Sequence, residues 1–193
     1  MNMVHKFAPN CSSFGQNSRF KRQGFTYLEL VFVIVIISTL VSMMLVRILP
    51  AMDEAERAAV LNVEGQLRSS IAVQAAKWVA VSDFTSVRAM QGSNPMDLML
   101  EPPGNYAGAL ADEAQAPPEH WYFASERQEL VYRPGPPHTP RRKMSAERPS
   151  FAVRLAFVDV DNNGRFERSA DEFHGVRLVR TAGQDWLAGA VNE

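Results

Sequence analysis

Lys21-Arg22-Gln23-Gly24-Phe25-Thr26-Tyr27-Leu28-Glu29-Leu30 opens a run that continues as VFVIVIISTLVSMMLVR to Arg47. From Leu30 to Val46 every residue is apolar except Ser38, Thr39 and Ser42, over 17 positions. At roughly 1.5 Å per residue a helix of this length covers about 26 Å. Adding Phe25 to Leu28 brings it to the ~30 Å of a bilayer's hydrocarbon core. Glu29 lies inside the apolar end. A carboxylate well inside a bilayer costs on the order of 2.5 kcal/mol or more, so an acid there marks a function. The alternative is an interfacial acid whose side chain snorkels to the headgroups.

The basic pair Lys21-Arg22, then Gly24, Phe25, Glu29 and the unbroken apolar helix together resemble the class III leader junction of type IV pilins and type II secretion pseudopilins. The resemblance covers Lys21 to about Val81. It implies a prepilin peptidase that cuts between Gly24 and Phe25 and then N-methylates the new terminal Phe25. It also implies an assembly role for Glu29, which matches the family's acid four residues past the new terminus. A leader of residues 1–24 is longer than is usual where the first mature residue is Phe.

The chain has 193 residues, 46 % hydrophobic and 21 % charged, which fits one modest domain plus an apolar segment. Its net charge of −1 hides an asymmetry. Residues 1–24 carry Lys6, Arg19, Lys21 and Arg22 and no acid, whereas the remainder has 16 basic against 21 acidic residues. Basic residues before the apolar run, with Asp53, Glu54 and Glu56 beyond it, predict a cytoplasmic N-terminus. A cleaved secretory signal is rejected, because the apolar run is too long and no Ala-x-Ala follows it. The only cysteine, Cys11, falls in the leader, so the mature chain has no disulfide even facing an oxidising compartment.

Beyond Arg47 the helical pattern continues to about Val81, interrupted by Pro50, which predicts a kink, and by Gly65. Met52, Val60, Val63, Leu67, Ile71 and Trp78 make one stripe, read as core packing. Asp53–Arg57 and Glu64–Arg68 stand four apart with the acid first, the favourable order. A helix from Phe25 to Val81 is about 85 Å long, so its second half extends past a bilayer and gathers a domain on its apolar face.

Ser82 to Glu119 reads as ordered loop with a helical turn at Met96 to Leu100, punctuated by Pro95, Pro102-Pro103-Gly104 and Pro117-Pro118. Trp121-Tyr122-Phe123 and Leu130-Val131-Tyr132-Arg133 around a polar turn predict a β-hairpin. Phe151 to Val158 reads as a third strand and Gly175 to Arg180 as a fourth. Between the hairpin and the third strand, Pro134 to Pro149 holds five prolines with Arg141, Arg142, Lys143 and Arg148. Such a loop can touch nucleic acid or lipid phosphate. The acidic balance of the mature chain favours a solvated loop and makes a nucleic-acid partner unlikely.

Asp159-Val160-Asp161-Asn162-Asn163-Gly164 matches the first half of a calcium loop, D-x-D-x-N-G. Alternate oxygen ligands converge because the chain turns around the ion, and the glycine supplies the left-handed turn. The next ligand is the Arg165 carbonyl. Position twelve is Ala170 rather than Glu, so Asp171 or Glu172 serves with a one-residue shift, and Glu167 reaches through water. The competing reading is a β-turn rich in Asp and Asn. Hard oxygen ligands favour calcium over zinc, and some major pseudopilins bind calcium in a C-terminal loop. No catalytic constellation is present: His120, His138 and His174 lack metal spacing, and there is no Gly-x-Ser-x-Gly and no phosphate loop.

The expected fold is α+β, pilin-like: a long N-terminal helix, transmembrane over residues 25–49 and amphipathic over 50–81. This helix packs on a small antiparallel sheet of about four strands within residues 82–193. The resemblance implies a structural subunit of a type IV pilus or a type II secretion pseudopilus. Its partners would be the prepilin peptidase, other copies or homologous subunits in a helical fibre, and an inner-membrane assembly platform. The alternative is a membrane-tethered, calcium-dependent binding module that does not polymerise. Metal ligands would be Asp159, Asp161, Asn163, Arg165 and Asp171.

Overall fold

The computed structural model describes residues 25–138 and 147–188. Residues 1–24, expected as a leader and including Gly24, and the basic residues Arg141, Arg142 and Lys143 lie outside the described residues. Helix α1 runs Tyr27–Ala80 over 54 residues, with Pro50 inside it. By internal packing the chain divides into two units, Met1–Met43 and Met44–Glu193.

In the first unit α1 starts under Thr26, whose Oγ1 accepts a hydrogen bond from the Glu29 N–H at 3.3 Å. Thr26-Tyr27-Leu28-Glu29 therefore has the spacing of a capping box, and Glu29 occupies the first turn, where a negative charge favours the helix dipole. Thr39 and Ser42 turn their hydroxyls back onto the carbonyls of Val35 and Ser38, both at 2.8 Å, so neither adds an unsatisfied polar group to the apolar surface. Every residue from Phe25 to Ile48 is exposed. By length and composition this part of α1 is apolar enough to cross a membrane.

In the second unit α1 buries Val60, Leu67, Ile71 and Ala75 along one stripe, with Val63 and Trp78 packed at its edges. Met52 departs from the expected stripe: it is exposed, while its neighbour Asp53 is buried. The anticipated Asp53–Arg57 pair is not among the ion pairs of the described residues. Arg57 reaches Glu54 at 2.5 Å, and Asp53 accepts from the backbone N–H of His138 at 3.2 Å and lies 3.1 Å from its ring Nδ1. A tertiary partner for a buried carboxylate outweighs an exposed pair worth a few tenths of a kcal/mol.

The helix ends one residue before the expected Val81, on a Schellman turn built without glycine. Ser82 adopts φ 56°, its N–H donates to the Val79 carbonyl at 3.0 Å, and the Asp83 N–H donates to Trp78 at 2.9 Å. Asp83 then caps a second helix, α2 (Phe84–Ala89), by accepting from the Ser86 N–H.

The sheet corrects two expectations. It has five strands, not four, in the order β1-β2-β3-β4-β5, and it is mixed rather than antiparallel. Strand β1 (Tyr106–Leu110) arises inside the segment expected to be loop and pairs parallel to β2 (His120–Ala124). Its sequence, YAGAL, offers small residues and a glycine at φ 89°. Neither β-branching nor large apolar alternation marks it, and pairing with β2 makes the strand. The hairpin of β2 and β3 (Glu129–Arg133) forms as expected, with Trp121 opposite Tyr132 and Phe123 opposite Leu130. Strands β4 (Ser150–Val158) and β5 (Glu172–Ala182) form a long antiparallel ribbon, and β5 exceeds its expected Gly175–Arg180 at both ends. A short helix α3 (Gln184–Ala188), not anticipated, places Trp186 and Leu187 in the core.

One face of the sheet packs on α1. Trp121, Tyr132, Phe151 and Trp186 form a chain of tilted rings with centroids 5.1–5.8 Å apart. The other face of the hairpin is covered too, by Ala116 against Tyr122, Ala124 and Val131. That second cover explains why Trp121 to Ala124 are all buried with no polar alternation.

Candidate functional site

The described residues that bring carboxylates together are those of the β4–β5 connection. Phe166 anchors it: it is 3 % exposed and packs against Phe84, Phe157 and Phe173 at centroid distances of 5.5–6.1 Å. Around that anchor the chain is stitched by Asx-type hydrogen bonds. Asp159 accepts from the N–H groups of Asn163 (3.1 Å) and Gly164 (2.8 Å). Asp161 accepts from the Asn163 amide at 2.8 Å, and Asn163 Oδ1 accepts from the Arg165 N–H at 2.7 Å. Gly164 turns at φ 72° and Asn162 at φ 58°, the left-handed conformations that the D-x-D-x-N-G pattern needs.

Asp171 closes the loop. Its oxygens accept from the N–H groups of Val160 (3.1 Å) and Glu167 (2.7 Å), which ties the two ends of the connection together. Asp159, Asp161 and Asp171 thereby offer one carboxylate oxygen each, all within 4.8 Å of one another. Of the two acids that the spacing left open, Asp171 joins the cluster. Glu172 instead faces His174 at 3.7 Å. Among the described residues no arginine, lysine or histidine forms an ion pair with any of the three aspartates. Arg168 is engaged elsewhere, its guanidinium 4.1 Å above the Phe84 ring. Two unit charges 4 Å apart repel by about 1 kcal/mol even in bulk water, and by more beside a protein surface. Each oxygen that accepts one N–H keeps a second lone pair, so the stitched loop still has ligands to give a cation. The chemistry of the donor set, hard carboxylate and amide oxygens, fits calcium.

Sequence reasoning missed two contributors. Phe166 reads as an unremarkable loop aromatic and becomes the anchor only through Phe84, Phe157 and Phe173. Glu64 is legible as a partner for Arg68, at 2.7 Å, but its side chain also receives Arg180 of β5 at 2.6 Å. Burial alone would raise the Glu64 carboxyl. Hydrogen bonds from Arg180 and Arg68, with their charges, outweigh it and hold this group, 15 residues past the 25–49 segment, below its ordinary value of 4.5.

No protein-family model, curated protein or solved structure matches the chain.

Proposed function

We propose that the chain is a structural subunit of the pilin and pseudopilin kind, processed between Gly24 and Phe25 by a prepilin peptidase and N-methylated at Phe25. Residues 25–49 hold it in a bacterial inner membrane with the N-terminus cytoplasmic and residues 82–193 periplasmic. Copies or homologous subunits, drawn through an inner-membrane assembly platform, then pack these helices into a type IV pilus or a type II secretion pseudopilus. The observation that carries this reading is the division of α1: all of Phe25–Ile48 is exposed, whereas Val60, Leu67, Ile71 and Ala75 bury a single stripe. An apolar surface around the whole circumference needs lipid or other apolar helices to cover it. The Lys21-to-Leu30 motif says which kind of assembly does so.

In the same reading Asp159, Asp161, Asn163, the Arg165 carbonyl and Asp171 hold one calcium ion. The second reading, a membrane-tethered calcium-dependent module that does not polymerise, is favoured by the acidic triad alone. Mass spectrometry of the chain extracted from membranes with an active prepilin peptidase tests the first. A mature N-terminus at N-methyl-Phe25, recovered in sheared fibres, supports it; intact leader sequence in the extracted protein refutes it. A processed chain never found in fibres favours the tethered module.

A further inference from the structure

Strands β4 and β5 pair with Arg154 directly opposite Arg177. Their neighbours Val153 and Leu178 belong to the core that packs on α1. Side chains alternate along a strand, so the two arginines stand together on the other face, and both are exposed. Neither guanidinium has a hydrogen bond, ion pair or ring contact among the described residues. Within the β4–β5 ribbon the same-face neighbours are Ala152 and Val179 to one side and Ala156 and Gly175 to the other, so no carboxylate of the ribbon lies one step away. Arg57, Arg68, Arg127, Arg148 and Arg180 each reach a carboxylate; among the described residues, Arg154 and Arg177 do not.

Like charges directly opposite in a sheet destabilise it, and in an acidic chain an unpartnered arginine pair at register is a cost without a structural return. The floor beside the pair is shallow and open. Ala156 faces Gly175, which adopts φ 131° and has no heavy atom within 4 Å of where a Cβ would stand. We propose that Arg154 and Arg177 form a two-armed site for a phosphate group. Cβ atoms of opposed residues lie about 4.5–5.5 Å apart, close enough for two planar forks to converge on one anion. A tetrahedral dianion offers oxygens to both forks and balances both charges, whereas a single carboxylate satisfies one fork and leaves the second arginine uncompensated.

The full chain is melted in uncharged detergent, without calcium, in sodium phosphate and in sodium chloride at equal ionic strength, and followed by near-ultraviolet circular dichroism. Phosphate raises the wild-type Tm by about 2–4 °C over chloride. R154Q and R177Q each lose that increment, and their Tm in chloride equals or exceeds wild type because the cross-strand repulsion is gone. R177K keeps the charge but not the fork, and retains only part of the increment. Equal phosphate increments in wild type and both glutamine variants overturn the proposal. So does the absence of an increment in wild type, or a lower chloride Tm in the glutamine variants, which would make the arginines structural. Repeating the melt in nanodiscs separates the sources. If a lipid phosphomonoester occupies the pair, free phosphate loses its effect in discs containing phosphatidic acid but keeps it in phosphatidylcholine; if free phosphate is the ligand, both discs respond alike.

Discussion

Glu64 accepts from Arg68 one turn along α1 and from Arg180 on β5, 116 residues away, while its own side chain is 3 % exposed. The first contact is readable from the four-residue spacing; the second follows only once β5 lies against the helix. A buried carboxylate stripped of a partner becomes an uncompensated charge. Arg180→Ala is therefore expected to cost roughly 2–4 kcal/mol, short of a fully buried pair because both arginines keep solvent contact. The folded carboxyl lies below 4.5, so its contribution is complete above that pH and drains away as pH falls through the lower folded value. Urea denaturation of wild type and Glu64→Gln between pH 6 and pH 3 checks this. The wild type is expected to lose its advantage over the variant below about pH 4.5, and a constant difference would show that the carboxylate's charge is not what stabilises the contact.

The β4–β5 connection behaves as an element with its own anchor. Phe166 packs under Phe84, Phe157 and Phe173 in the same connection that brings Asp159, Asp161 and Asp171 together. An ion that binds only the folded state adds RT ln(1+[L]/Kd), about 2.7 kcal/mol at a hundredfold excess over Kd. Calcium at constant ionic strength is expected to raise Tm above that in chelator, and Asp161→Ala to remove the difference. A rise matched by sodium chloride would instead reflect screening among the aspartates. Phe166→Ala should lose about 3–5 kcal/mol of stability and weaken calcium binding, since the oxygens would no longer be held in register. Isothermal titration on that variant reads the second effect, and unchanged affinity would mean the ion organises the loop without the anchor. The D-x-D-x-N-G turn is legible because its oxygen spacing is local. Strand β1 is not: Tyr106-Ala-Gly-Ala-Leu carries no strand signal of its own and exists through its register with Trp121 and Phe123.

At the scale of the whole chain, the exposed apolar surface of Phe25–Ile48 calls for lipid or other apolar helices to cover it. Glu29 has a local role in the first turn of α1 and, under the proposed function, a distant one toward the α-amine of Phe25 on a neighbouring subunit. The two separate in Glu29→Ala. Loss of a first-turn acid costs under about 1 kcal/mol and, under the proposed function, is expected to leave the protein inserted, cleaved and folded. Loss of the intermolecular pair is expected to reduce sheared fibre, or secretion, at least tenfold at equal membrane levels of the chain. Wild-type fibre yield from the variant would confine Glu29 to the helix cap.

The sequence by itself determined what depends on neighbours within about a dozen residues. The length and apolar character of α1's first half, its amphipathic second half, the β2–β3 hairpin and the D-x-D-x-N-G turn all repeat or close locally, so their physics is written in adjacent side chains. Tertiary structure decided the rest. Asp53 turned inward to His138 while Met52 stayed exposed, because a buried carboxylate follows its partner rather than a helical period. Gly183, at φ 72°, admits the close approach of Pro149, whose nitrogen lies 2.5 Å from where a Cβ would stand. The parallel β1 and the facing of Arg154 with Arg177 likewise depend on residues further apart in the chain. Their register is set by the packing of the core, which no local pattern encodes.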